Sequence, residues 1–123
     1  MLPNAEEALR LAGREDGDVE AAARTLAARG PLVVVKLGAD GALAVRGGET
    51  TRVPAPRIDV VDSTGAGDSF DAGFLAAWLG GEVAGGDRLE AALTLACACG
   101  ALSTRGAGGT AAQPTLAEAR ALA

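Results

Sequence analysis

The sequence contains no histidine and no tyrosine, and only one lysine, one tryptophan and two phenylalanines among 123 residues. The lack of histidine removes the commonest metal ligand and the commonest general base near neutral pH. With so few aromatics, a core has to be built from Ala, Val and Leu, which supply nearly all of the 49% apolar fraction, and it has to pack closely. Long apolar runs are missing too, and none approaches the ~20 residues of a membrane span. Cations are scattered arginines against a net charge of −5. No basic stripe is interleaved with aromatics, which argues against a nucleic-acid backbone as partner. Met1 is followed directly by Leu-Pro-Asn, without a basic n-region or apolar h-region, so no secretory leader is expected. The two cysteines, Cys97 and Cys99, are spaced C-x-C inside a helical run, where i and i+2 point to different faces. No bridge is expected between them, and a zinc site would lack its other ligands. They read as small packing residues in a reducing, cytosolic compartment.

What is present reads as alternating helix and strand. "PNAEEALRLAG" predicts a helix from Asn4 to Gly13, and "GDVEAAARTLAARG" a second, capped by Asp18 and stopped at Gly30. "PLVVVKLG" is a short, continuous, valine-rich run, the pattern of a strand buried on both faces, as in a parallel sheet. "GALAVR" and "TTRVPA" flank the turn signal Gly47-Gly48, and "RIDVVD" reads as a further short strand. Beyond it, Phe70, Phe74 and Trp78 fall at i, i+4 and i+8 of a helix from Ala66 to Leu79. "DRLEAALTLACACGAL" places Leu89, Leu93, Ala96 and Gly100 on one helical face. "TLAEARALA" carries a capping box of Thr115 and Glu118. The expected fold is therefore an α/β layered sandwich with a mainly parallel sheet. The strands are few for such a sheet, so the chain reads as the carboxyl-terminal portion of a larger α/β domain.

Two known phosphate motifs fail here. A P-loop is absent, because Lys36, the only lysine, precedes its nearest glycine. "GAGGTA", Gly106 to Ala111, formally fits G-x-G-x-x-A. It follows a helix instead of a strand, and too little chain remains for the acid about 20 residues on.

The stretch "DSTGAGDSF", residues 62–70, has the better context, a strand running into a small-residue turn with a helix behind it. Unsatisfied N–H groups and the positive end of the helix dipole both favour an anion there. Glycine admits a phosphate close to the backbone. A carboxylate at Asp68 would repel a resting phosphate, but it would serve as base for a hydroxyl attacking phosphorus. The residues are equally compatible with a plain glycine turn and a helix-start Asp.

"DSTGAGDSFDAGFLAAWL" resembles the D-T-T-G-A-G-D-x-F-x-A-G signature of the ribokinase-like (PfkB) carbohydrate kinases, with Ser63 as the notable departure. "PNAEEALRLAG" is similar to that family's N-x-x-E helix. "VVVKLGADGALAV" is similar to its nucleotide strand-turn-strand, and "ACACGALSTRGAGGTAAQPTLAEA" to its carboxyl-terminal nucleotide loop. The resemblance covers essentially the whole chain and corresponds to the family's second half. It implies that residues 1–123 are the carboxyl-terminal nucleotide-binding and catalytic part of a ribokinase-like domain, a three-layer sandwich. The amino-terminal sugar-binding region and lid would then be missing.

By the same resemblance, Asp68 is the catalytic base, and Gly65, Ala66 and Gly67 form the anion hole. Asp62 and Thr64 match positions that hold a monovalent cation such as K⁺, and Asn4 and Glu7 match residues associated with Mg²⁺ and phosphate. N-x-x-E is also an ordinary capping box. Gly38 and Gly41 match the nucleotide turn. Lys36 stands where Thr is common, either as a phosphate-reaching cation or as a strand end with its ammonium in solvent. Cys97 stands where relatives carry Asn at a nucleotide contact. The implied activity is transfer of the ATP γ-phosphoryl to a sugar or sugar-acid hydroxyl. "VVVKLG" hints at 2-keto-3-deoxygluconate, and the alternative is a non-catalytic nucleotide-binding fragment. ATP and a small sugar are the expected partners, with a second copy or the missing half as the protein partner.

Overall fold

Val33, Val34 and Val35 are all fully buried, yet successive side chains leave a strand on opposite faces. Both faces of that strand must therefore be covered. A computed structural model describes residues 1–30, 32–80, 87–108 and 112–123. Its elements are α1 (Ala5–Leu11), α2 (Val19–Ala27), β1 (Val33–Lys36), β2 (Ala42–Arg46), β3 (Glu49–Val53), α3 (Ala66–Gly80), α4 (Arg88–Ser103) and α5 (Leu116–Leu122). Val33, Val35, Leu43 and Val45 pack with Ala8, Ala23 and Leu26 of α1 and α2. Val34, Ala42, Ala44 and Val53 pack on the other side, with Phe70 and Phe74 of α3 and the apolar residues of α4. The result is three layers, helix, sheet and helix.

The sheet has the order β1-β2-β3, and both pairings are antiparallel. This corrects the expectation of a mainly parallel sheet. Residues 37–41 alone connect β1 to β2, and a parallel return needs a crossover of a dozen residues or more. Burial on both faces was read rightly, but it does not fix strand direction. Among the described residues, parallel pairing is limited to the bridge between Asn4 and Lys36. It is supported by the Val34 and Lys36 amides, which donate to Met1 and Pro3 carbonyls at 2.9 Å each. Gly47 (φ 57°) and Gly48 (φ 84°) make the two-residue turn from β2 to β3, where both positions need φ > 0.

A second correction concerns "RIDVVD", which forms no strand. Val60 and Val61 are exposed, and the amides of Val61 and Asp62 both donate to the Thr104 carbonyl, at 2.8 and 3.1 Å. Pro54 and Pro56 precede the segment and remove two ladder donors, and it runs on as a loop against the end of α4.

The helices begin where their caps predict. Asn4 and Glu7 exchange hydrogen bonds at the start of α1, and Thr115 and Glu118 do so at α5. Asp18 and Asp87 cap α2 and α4. Helix α4 is buried almost all round, not along one face only. Its small residues let α3 approach closely: a Cβ on Gly73 would lie 2.7 Å from Cys99 Sγ, and one on Gly100 3.2 Å from the Ala66 carbonyl oxygen. At the other end of α3, Trp78 stacks on Phe74 with ring centroids 5.9 Å apart. The guanidinium groups of Arg46 and Arg88 lie 5.5 and 5.2 Å from its ring centroid. Among the described residues no helix is long and apolar enough to cross a membrane.

Candidate active site

The end of the sheet that carries Lys36 opens into a cleft of about 390 Å³. Its floor is the first turn of α3 and the last turns of α4. One wall is the turn after β1, and the other is the loop from Ala55 to Ser63. Most of the lining is apolar, with Ile58, Val60 and Phe70 prominent, and the charged side chains among it are Lys36 and Arg57.

Six of the residues singled out from sequence line this cleft together: Lys36, Gly38, Gly41, Ala66, Gly67 and Cys97. Gly65 turns the chain into α3 with φ 79°. The Ala66 amide donates to the Ser63 carbonyl at 3.1 Å, and the Ser69 amide to the Gly65 carbonyl at 3.0 Å. The amides of Gly67 and Asp68 have no such partner among the described residues. Two bare donors therefore stand at the positive end of a 15-residue helix. Asp68 follows on the same turn with its side chain exposed.

Lys36 is the cation of this corner. Its Nζ donates to both carboxylate oxygens of Asp71, at 3.0 and 3.2 Å. It also lies 3.6 Å from where a Cβ on Gly67 would be. Nζ is thus held in an ion pair and not left alone in solvent. Asp71 was not singled out from the sequence. It sits three residues past Asp68, hence on the same helix face, but its partner lies 35 positions earlier in the chain.

The remaining candidates do not line the cleft. Asn4 bridges to Lys36 through the backbone. The Asn4 side chain accepts from the Glu7 amide at 2.8 Å, while Glu7 Oε2 accepts from the Asn4 amide at 2.9 Å. Asp62 Oδ1 accepts from the Thr64 hydroxyl at 2.7 Å and the Thr64 amide at 2.9 Å, and Oδ2 accepts from the Gly108 amide at 3.0 Å. These bonds hold the Asp62 carboxyl down at about 2, the Thr64 hydroxyl having the largest effect. Cys97 is buried, and burial pushes its thiol up to about 11, so it faces the cleft as a neutral group. No cluster of three or more metal-binding side chains occurs among the described residues.

Gly38 and Gly41 both have φ > 0, but for different reasons. Space beside Gly38 is open, whereas a Cβ on Gly41 would fall 2.0 Å from the Val53 carbonyl oxygen. Gly106 to Gly108 follow α4, as expected, and residues 109–111 of the formal G-x-G-x-x-A match lie outside the described residues.

A family model described as pfkB family carbohydrate kinase matches residues 1–116. The aminoimidazole riboside kinase of Salmonella typhimurium is 41% identical over 81 residues, which are 66% of this chain and 25% of that protein. Among solved structures, the fructokinase of Vibrio cholerae O395 with fructose, ADP and calcium superposes with a TM-score of 0.86 at 32% identity. It is covered over 39% of its length by 98% of this chain. A ribokinase II from E. coli in complex with ATP and Mg²⁺ gives a TM-score of 0.84 at 30% identity, with 98% of this chain and 37% of that one covered. The fold is thus α/β and ribokinase-like, and the chain spans about a quarter of the length of the curated relatives it matches.

Proposed function

Because the chain belongs to the pfkB family of carbohydrate kinases, we propose that it carries the nucleotide-binding and phosphoryl-transfer half of an ATP-dependent sugar kinase. Residues 1–123 would form the carboxyl-terminal part of the domain, with the acceptor pocket supplied mainly by the remainder. The observation that carries this reading is the first turn of α3. There the unpartnered Gly67 and Asp68 amides meet the Lys36 ammonium on the floor of a largely apolar cleft.

The chemistry follows from that arrangement. The apolar wall of Ile58, Val60 and Phe70 suits the flat adenine ring, and a cleft of about 390 Å³ is within the usual range for such a ligand. Gly65, Ala66 and Gly67 bring the backbone to the γ-phosphoryl, where charge gathers in the transition state. Lys36 adds a compact positive charge at the same place. Asp68, exposed and one residue beyond, takes the proton from the acceptor hydroxyl as its oxygen attacks phosphorus. Gly38 and Gly41 shape the turn under the nucleotide, and Cys97 offers a neutral contact. Magnesium would come bound to ATP and would offset phosphate charge there, and Asn4 and Glu7, placed with it by the family resemblance, would be the residues on that side. The ionised Asp62 carboxylate and the Thr64 hydroxyl are hard oxygen donors that suit a monovalent cation such as K⁺.

The test is calorimetric titration with MgATP, followed by an ADP-release assay with a panel of sugars and sugar acids. Lys36 in "VVVKLG" puts 2-keto-3-deoxygluconate first in that panel. Acceptor-dependent ADP release that Asp68→Asn removes supports the proposal. MgATP binding with no acceptor turned over, even with the remainder of the domain supplied, selects the non-catalytic nucleotide-binding alternative. No MgATP binding refutes both.

A further inference from the structure

The ion pair between Lys36 and Asp71 joins β1 to α3 inside the cleft, and its side chains keep 18% and 33% of their exposure. A pair this far withdrawn from water gives up hydration as it gains attraction, so stability alone gives weak reason for the chain's only lysine to sit here. Backbone pairing fixes the Lys36 main chain from both sides, through Ala42 of β2 and through the bridge to Asn4. The four-carbon side chain is the flexible part, and Asp71 is what holds it. Two of the three ammonium donors point to the carboxylate oxygens, which leaves the third for an incoming anion. While so held, Nζ already stands beside Gly67, over the turn with the bare amides.

We propose that Asp71 is a positioning residue: it holds Lys36 at the start of α3 so that the site discriminates a nucleoside triphosphate from a diphosphate. The inference rests on the phosphate reading of that helix start. It makes a prediction whose sign is opposite to simple electrostatics. A carboxylate near a polyphosphate should weaken binding, so its removal should tighten MgATP if Asp71 were only a neighbouring charge. If Asp71 positions Lys36, its removal should loosen MgATP and leave MgADP nearly unchanged.

The experiment titrates MgATP and MgADP into the full chain and into its Asp71→Asn, Asp71→Glu, Lys36→Met and doubly substituted forms, with a melt on each. Lys36→Met should weaken MgATP by about tenfold, the worth of one hydrogen bond to a charged group. Asp71→Asn should weaken it in the same direction, Asp71→Glu should recover part of the loss, and MgADP should stay within about twofold throughout. In the Lys36→Met background, Asp71→Asn should loosen nothing further, since a residue acting through Lys36 has no effect without it. Tighter MgATP binding by Asp71→Asn, or equal losses for MgATP and MgADP, overturns the inference while leaving the phosphate site standing. An unaltered chain that binds neither nucleotide overturns the phosphate reading and this inference with it.

Discussion

Asp62 accepts the Gly108 amide at 3.0 Å across 46 positions of sequence, joining the loop that enters α3 to the loop that leaves α4. With its other oxygen on Thr64, one carboxylate spans the rim of the cleft. Its folded value of about 2 lies below the ordinary 3.8, so its contribution to stability is fully present above the unfolded value and is lost as pH falls from about 4 to 2. The melting temperature of the protein should therefore exceed that of Asp62→Asn at pH 5–7, and the gap should close near pH 2. A gap independent of pH would mean that the charge is not what holds the two loops.

Gly38 and Gly41 should respond very differently to alanine. Gly38→Ala places a Cβ in open space and incurs only the left-handed backbone penalty, about 1–2 kcal/mol. Gly41→Ala drives a Cβ into the Val53 carbonyl and should cost about 4 kcal/mol or more, or prevent folding. Urea unfolding of the two variants checks this, and equal losses would contradict it.

The contact of α3 with α4 should be intolerant of a single methyl group. Gly73→Ala meets Cys99 at both Sγ and Cβ, an overpacking that should cost about 1–3 kcal/mol. Adding Cys99→Ala removes the sulfur and should recover part of that loss. Additive losses in the double variant would show that the two residues do not share the space.

Asp68→Asn should lower kcat for sugar phosphorylation by about 10²–10⁴-fold, the usual contribution of a general base, once the remainder of the domain is supplied. MgATP affinity should hold or rise slightly, because a negative charge beside the phosphates is gone. Near-full turnover in this variant would return Asp68 to the role of an ordinary helix-start residue.

The buried thiols should be silent in the folded protein. Burial raises Cys97 from 9.0 to about 11 and raises Cys99 as well, so little thiolate exists at pH 8 although Cys97 lines the cleft. Neither should react with a disulfide reagent until urea unfolds the chain. Because the folded value lies above the unfolded one, the stability tied to the neutral Cys97 thiol is present below pH 9 and is lost as pH rises towards 11. Rapid native labelling of Cys97 would indicate a more open cleft.

How much of this was legible in the sequence depended on whether the signal was local. The caps of α1, α2 and α5 and the Gly47-Gly48 turn were read correctly, because each is decided by residues within one turn of chain. Strand direction was misread, since Val33–Val35 look the same in a hairpin as in a parallel crossover and only the five-position gap to β2 tells them apart. "RIDVVD" was misread because a valine pair implies a strand only where a neighbouring edge receives it, and here the Thr104 carbonyl takes the two amides instead. The clustering of Lys36 with Gly67 was not visible from spacing, nor was the pairing of Lys36 with Asp71, since β1 and α3 meet only in the fold.

Helix α3 sets the chain's tryptophan apart from the cleft. α3 runs from the cleft to the opposite end of the sheet, and Trp78 lies 11 residues beyond Gly67, about 16 Å along the helix axis. It is held there against Phe74 and beneath Arg46 and Arg88. As the chain's sole tryptophan, it is an emitter shielded from whatever enters the cleft. Its fluorescence will follow the separation of α3 from β2 and α4, and it will be nearly blind to occupancy. A titration by intrinsic emission would register little at saturation, so a flat trace would say nothing about whether nucleotide had bound.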